Sequence, residues 1–303
     1  MSSDAGPQES PKMTRPVNEQ LDAILGLPYA VLDHGFVRVV DYMGSDAAVV
    51  QAARVSYGSG TRQVSDDAAL IRYLLRNSHT TPFEMCEIKL HVKMPIFVAR
   101  QWIRHRTASV NEYSGRYSII DNEFYVPSIE AIAAQNTSNR QGRGEVLDPV
   151  VSNRVQAIIR EDAQRAYATY EQLLGDDSDH GFEGVARELA RIGLGVNFYT
   201  QWYWKIDLHN LLHFLRLRVD PHAQHEIRQY AKVILEILKL WMPITYQAFL
   251  DYGINSVTLS APALAVLKML LAGSKVEFSS SGLSRREWEE LNSIFHFDGT
   301  SSL

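Results

Sequence analysis

The chain has 303 residues, 46% of them hydrophobic and 21% charged, with a formal net charge of −5. This is the composition of an ordinary folded protein, long enough to bury a core without covalent staples in one large domain or two small ones. It excludes whole-surface attraction to nucleic acid, so any anion binding must be local, and a single cysteine, Cys86, excludes an internal disulfide and suits a reducing compartment.

Residues 1–30 are expected to be a flexible leader. Up to about residue 17 the chain is polar, carries three prolines and shows no hydrophobic period, and a short helix is possible over Glu19–Leu27. Met1–Pro16 has no apolar core of the kind a secretory signal needs, and no apolar run reaches membrane-spanning length, so a cytoplasmic enzyme is expected. Phe36–Met43 is rich in β-formers and ends at Gly44, which predicts a strand. Ser45-Asp46 then caps an Ala/Val-rich helix to about Arg54, with Ser56 after its end. A Gly58-Ser-Gly60 loop leads to Ser65-Asp66-Asp67 and an amphipathic helix ending near Asn77.

His79–Glu84 reads as a polar turn. Met85–Met94 carries the clearest strand signal: Cys86, Ile88, Leu90, Val92 and Met94 alternate with Glu87, Lys89, His91 and Lys93, a period of two. Pro95 suits the first position of a helix on which Ile96, Ala99 and Ile103 share an apolar arc. Gln101, Arg104 and His105 would then point away from the core, where a loop from Arg106 to Tyr117 begins.

Asn136–Pro149 reads as a flexible loop, followed by a long helix from Ser152 to Leu174 with Gly175 just past its end. A helix is expected over Gly184–Leu194, and an aromatic strand over Val196–Lys205, where helix is the alternative. Asp207 caps a helix ending around Arg216-Leu-Arg218. Asp220-Pro221 starts a longer one to about Trp241, and Pro243 a short one ending at Gly253. The tail holds an apolar helix over Pro262–Leu271 and an amphipathic turn around Trp288. With no internal repeat and no long linker, the pattern gives one mixed α/β domain of α+β type over 31–254, with 255–303 as a C-terminal extension.

Gln101–Tyr117 reads as the ligand site. It sets Arg104, Arg106 and Arg116 around His105, Ser109, Asn111, Glu112 and Ser114, and such donor density is costly to bury unless something anionic fills it. Guanidinium forks bind phosphate in two-pronged fashion, and the Ser114-Gly115 amides can form an anion nest. A solvated charge cluster is the plain alternative, but exposed arginine does not need the flanking Ser-x-Asn-Glu-x-Ser-Gly-Arg run. A nucleotide phosphate is the natural candidate.

Arg104-His105-Arg106, seven residues and then Ser114 resembles the Arg-His-Arg-x7-Ser signature of the flavin-dependent thymidylate synthase family. The likeness continues through Asn111-Glu112, Ser114-Gly115-Arg116, Phe36–Ser56, His79–Glu84, Pro95–Gln101, Arg187–Thr200 and Leu211–Tyr230. It implies a largely antiparallel sheet flanked by helices and a methyltransferase that converts dUMP to dTMP. The one-carbon unit would come from 5,10-methylenetetrahydrofolate and the hydride from NADPH through bound FAD, in a homotetramer with active sites between subunits.

Carried over by position, Gln101, Trp102, Ile103, Arg104, Glu112, Tyr113, Ser114, Gly115, Arg116, Arg191 and Arg218 would hold dUMP. Ser56, Thr81, Arg104, His105, Arg106, Glu112, Asp207, Leu208, His209, His213 and His222 would line the flavin, and His79 would lie near the flavin and folate. Arg218, Ser114 and His79 are the candidate catalytic residues. Many family members have Asn, Arg and Asn or His at the positions of Asp207, His209 and His213, and Pro at that of Gly195, so this chain departs there.

The residues support several roles independently. A fixed cation such as Arg218 favours charge on a uracil ring acting as a carbon nucleophile. Ser114 is assigned to orienting dUMP rather than attacking it, because no His-Asp pair at recognisable spacing supplies a base. Cys86 falls on the apolar side of its strand and reads as a buried, inert thiol. His209/His213 and His222/His225 have spacings a metal could use, but no His-Glu-x-x-His helix accompanies them and no metal is expected. A nucleic-acid module using Arg104, Arg106, Arg116 and nearby aromatics would need a broad basic stripe, which the acidic balance opposes. A metal-dependent nucleotide hydrolase is the third reading.

Overall fold

The computed structural model describes residues 16–55, 67–136, 142–175 and 184–297. The chain divides into two compact units, Met1–Ile254 and Asn255–Leu303. In chain order the first unit contains α1 (Glu19–Asp22), β1 (Pro28–Val31), β2 (Gly35–Met43), α2 (Asp46–Val55), α3 (Asp67–Arg76), α4 (Thr81–Glu84), β3 (Glu87–Pro95), α5 (Ile96–Trp102), β4 (Ser109–Glu112), β5 (Ala133–Gln135) and β6 (Arg143–Val146). It continues with α6 (Pro149–Leu174), α7 (Arg187–Ala190), β7 (Tyr199–Asp207), α8 (Leu208–Arg218), α9 (His225–Trp241) and α10 (Pro243–Phe249).

Five strands form one antiparallel sheet in the order β1-β2-β3-β7-β4, and β5 and β6 pair separately. Period-two alternation decides which face is core: Ile88, Leu90, Val92 and Met94 of β3 are buried together with Trp202, Trp204 and Ile206 of β7. Their neighbours Lys89, His91, Lys93, Gln201 and Lys205 lie half-buried on the other face. Helices cover the apolar face. On α9, Ile227, Tyr230, Ala231, Ile234, Ile237, Leu238 and Trp241 recur at helical spacing and all are buried.

Residues 18–30, expected to belong to a flexible leader, are part of the fold. Leu21 is fully buried, and Asn18 caps α1 while its side-chain amide donates to the Leu240 and Trp241 carbonyls at 3.2 and 2.8 Å. One polar side chain therefore ties the first helix to the end of α9, satisfying carbonyls that α9 leaves open. Asp46 was expected to cap its own helix but serves another. Its carboxylate accepts the Ile244 and Thr245 amides and the Thr245 hydroxyl, which caps α10 from across the unit.

Other expectations change in detail. The 106–117 loop contains β4, an edge strand paired to β7, because Ser109–Glu112 finds backbone partners that its polar side chains do not advertise. Asn136–Pro149 contributes β6 of a hairpin, with 137–141 outside the described residues. The long helix starts at Pro149 under an Asp148 cap, and Ser152 is buried inside it. Gly175 at its end takes a left-handed φ of 75°, as a C-terminal glycine should. His79–Glu84 includes the helical turn α4, held by fully buried Phe83. Helix over Gly184–Leu194 is confined to α7 and a tight turn over Arg191–Gly193. α9 begins at His225 rather than Asp220, whose carboxylate instead receives the His222 amide at 2.7 Å.

The second unit holds α11 (Ala261–Leu271) and α12 (Arg285–Phe295), packed through Ala263, Val266, Leu283 and Leu291. Ser284 and Glu287 form a reciprocal capping box at the start of α12. Trp288 meets Phe297 and Phe278 edge-on at 5.0 and 6.1 Å.

Candidate active site

α5 delivers the first part of the arginine segment. Its buried side is set by size: Val98, Ala99 and Trp102 face the core, while Ile103 is 42% exposed. Trp102 stacks on Phe214 at 4.8 Å and meets Trp204, Trp202 and Tyr230 edge-on or steeply tilted. A ring of that area outweighs Ile103 for the core position, so the helix rotates away from the Ile96-Ala99-Ile103 arc. Trp102, expected among the dUMP-contacting residues, is thereby a core anchor with no exposed surface.

The same rotation buries His105, which was expected to point outward. Its ring lies 5.5 Å from that of His213 and 5.6 Å from Phe214, Nε2 is 3.1 Å from the Thr107 hydroxyl, and the ring hydrogen-bonds the Asn210 backbone. Burial, followed by the nearby His213 and Arg218, pushes its pKa below the ordinary histidine value. His105 thus docks the end of α5 onto α8, while Arg104 and Arg106 on either side stay exposed. Arg218, at the far end of α8, is half-buried, which lowers its pKa without removing a charge that arginine keeps in proteins.

The loop end is built differently. Glu112 closes β4, and its carboxylate accepts the Thr200 hydroxyl from β7 at 2.8 Å. The Tyr113 amide donates to the Gln201 carbonyl, and its phenol to the Ile119 carbonyl. Ser114 closes a turn: its carbonyl accepts the Tyr117 and Ser118 amides, and its hydroxyl accepts the Arg116 amide at 3.3 Å. Among the described residues that hydroxyl meets no histidine or carboxylate.

Gly115 is buried, and a Cβ there would come within 2.9 Å of Ile120 and 3.3 Å of Arg191 Cδ. Glycine at this point therefore lets Arg191 lie against the loop. α7 grips the same loop, with Arg116 Nε bonded to Glu188 at 3.1 Å and Arg187 donating to the Tyr117 carbonyl at 2.6 Å. The residues alone did not point to Thr200, and they marked Glu188 only as one helical turn from Arg191, not as the partner of Arg116. Each is distant from its partner along the chain, with no local pattern to flag it.

The remaining candidates are placed less closely. α4 packs against α8, which brings Thr81, and His79 just before it, towards that helix, both exposed. Asp207 caps α8, with one oxygen accepting the Asn210 amide and the other the Asn210 side chain. Leu208 is fully buried, so it reaches a ligand only through its surroundings. His209 is half-buried, His213 exposed, and exposed His222 bonds to Asp220 at 2.9 Å. Ser56 lies outside the described residues. No group of three or more His, Cys, Asp or Glu able to hold a metal ion occurs among the described residues.

On α5, β7 and α8 five buried polar atoms have no partner among the described residues: the indole N–H groups of Trp102, Trp202 and Trp204 inside the aromatic cluster, and, on residues expected at the ligand, Gln101 Oε1, an acceptor, and Arg218 Nε, a donor. Leaving the last two unmet costs stability unless a ligand supplies a donor and an acceptor. The imide edge of a uracil or of a flavin ring, with N–H beside C=O, has that pairing, so the residues present fit both groups.

A cationic loop, an unpartnered amide oxygen on α5 and an unpartnered guanidinium nitrogen on α8 are groups suited to an anionic, ring-bearing ligand. Residues 38–244 match the family described as thymidylate synthase complementing protein. The chain is also 58% identical over 295 residues to a protein of Gluconobacter oxydans named flavin-dependent thymidylate synthase, covering 97% of this chain and 95% of that one. A protein of the same name from Rickettsia prowazekii is 57% identical, covering 91% and 96%. A solved structure described as a UMP/dUMP methylase, PolB from Streptomyces cacaoi bound with 5-Br UMP, superposes with a TM-score of 0.66 at 34% identity, covering 75% of this chain and 98% of that one. The chain belongs to the flavin-dependent thymidylate synthase family.

Proposed function

We propose that this protein methylates dUMP to dTMP, taking the one-carbon unit from 5,10-methylenetetrahydrofolate and hydride from NADPH by way of FAD. The observation that carries the substrate assignment is the approach of the Arg191 side chain, through its Cδ, to Gly115 beside Arg116, which puts two arginines at the Ser114-Gly115 turn. A phosphate dianion there would draw Arg116 from Glu188, exchanging an exposed ion pair for a two-pronged contact. Ser114 orients the nucleotide. Its hydroxyl closes the turn and has no base beside it.

Arg218 is the activating residue. A half-buried cation with an unpartnered Nε favours negative charge developing on the uracil carbonyl oxygen while N3 keeps its proton, which makes C5 the better nucleophile. Gln101 Oε1 would accept from the ring N–H and fix its orientation. Arg104, His105, Arg106, Thr81 and His213 would hold the flavin, with His79 close to flavin and folate. Neutral His105 adds no third charge between Arg104 and Arg106, and its ring stays engaged with Thr107 and Asn210, holding the segment in place. A bound FAD would supply the hydride transfer and the relay of the one-carbon unit.

Arg104, Arg106, Thr81, His79 and His213 are exposed on a single chain, which supports a homotetramer whose neighbouring subunits close the flavin side. Among the described residues no helix is long and apolar enough to cross a membrane. The purified protein is expected to show an oxidised-flavin spectrum that changes on titration with dUMP. A colourless protein that does not take up added FAD, or one whose spectrum and heat of mixing ignore dUMP, contradicts the proposal.

A further inference from the structure

We infer that Thr200 is a positioning residue that aims the Glu112 carboxylate at the nucleotide; this rests on the dUMP-binding reading above. Glu112 ends the edge strand β4 and is exposed, with three side-chain torsions to fix before it can serve as an acceptor in one place. Its hydrogen bond from Thr200 Oγ1, at 2.8 Å, fixes it at the carboxylate. Thr200 is well placed to do so, being 7% exposed and belonging to β7, which is hydrogen-bonded on both sides. A β-branched side chain there has little torsional freedom of its own.

The register explains the reach. Glu112 pairs with Trp202, two residues along β7 from Thr200, so both side chains leave the sheet on the face where Trp202 is buried. Trp202 in turn meets Trp102, the residue after Gln101. Thr200 occupies one carboxylate oxygen, Oε1. The other is left to accept from a hydroxyl or N–H of the nucleotide, which an ionised carboxylate does without donating anything back. β7 repeats the device once: the Tyr199 phenol donates to Asp33, in the turn between β1 and β2, at 2.5 Å. A rigid inner strand thus fixes polar groups carried by more peripheral elements.

The test is a double-mutant cycle on the flavin-loaded protein, reading dUMP affinity by calorimetry together with KM and kcat. Thr200→Val keeps shape and loses the donor, and is expected to weaken dUMP binding about tenfold, the size of one hydrogen bond to a charged group. KM should rise more than kcat falls. Thr200→Ser should restore affinity to within about twofold of wild type. In a Glu112→Ala background, Thr200→Val should cost little more, because the acceptor it acts through is gone.

Unchanged affinity in Thr200→Val overturns the proposal, as does an equal loss in the two backgrounds, the mark of a merely structural role. Thr200→Ala provides the same cycle if valine is not accommodated. If the wild-type protein itself fails to bind dUMP, the functional reading falls and this role with it. If wild type binds and the cycle is additive, only the role of Thr200 falls.

Discussion

The two ends of the Gln101–Tyr117 segment are held by opposite kinds of force. At the helical end, Trp102 and His105 sit among Trp202, Trp204 and Phe214, and the geometry is set by close packing of large rings. At the loop end, Ser114–Tyr117 is held by polar contacts at or near the surface, from Glu188, Arg187 and its own turn. Packing is rigid and energetically large, whereas exposed ion pairs are weak and exchangeable. The first end therefore provides placement and the second provides a grip that a phosphate can take over.

The sharpest way to break this contrast is at Trp102. Trp102→Ala should destabilise the fold by about 3–5 kcal/mol in urea unfolding, since it empties the centre of the aromatic cluster. A loss below about 1 kcal/mol would remove the packing argument. Arg218→Ala is next: flavin should stay bound while dTMP formation falls about a hundredfold or more, as expected when a stabilising charge is removed from a reacting ring. Normal turnover in that variant would take Arg218 out of the activation role.

Arg116→Ala should weaken dUMP binding about tenfold and leave thermal unfolding nearly unchanged, because its partner Glu188 and Arg116 itself are both more than half exposed. Unchanged affinity would move the phosphate site elsewhere.

These effects separate the two ends only because both were partly visible in the residues. The strand over β3 could be read from its strict alternation, and the cationic loop from its donor density. The rotation of α5 could not, because Ile103 and Trp102 are both apolar and only the space beneath decides between them. Nor could Asp46 be read as the cap of α10, with 199 positions separating it from Thr245. Thr200 was hidden for the same reason: its partner Glu112 is 88 residues away, and threonine in a strand needs no explanation beyond its β-propensity. Local periodicity is written in the sequence, while pairing across the sheet is settled by register.

Two smaller effects sharpen the buried end. His105 has a depressed pKa in the folded protein, so the unfolded chain binds its proton first as the solution is acidified. Its contribution to stability should be complete above about pH 6.5 and decline as pH falls through that value towards the lowered folded-state pKa. Urea midpoints of wild type and His105→Asn across pH 5–8 test this, the variant lacking that part of the decline. Cys86 should show the least effect. Burial, with Asp46 nearby, raises its thiol to about 12, so a disulfide reagent at pH 7 should label it only after unfolding.

The most direct test of the whole account is to mix the reduced, flavin-loaded protein anaerobically with dUMP and methylenetetrahydrofolate and to follow nucleotide mass and flavin absorbance together. The account predicts dTMP in step with flavin reoxidation, and none when either substrate is withheld. A flavin that stays reduced, or dUMP recovered unchanged, would contradict it.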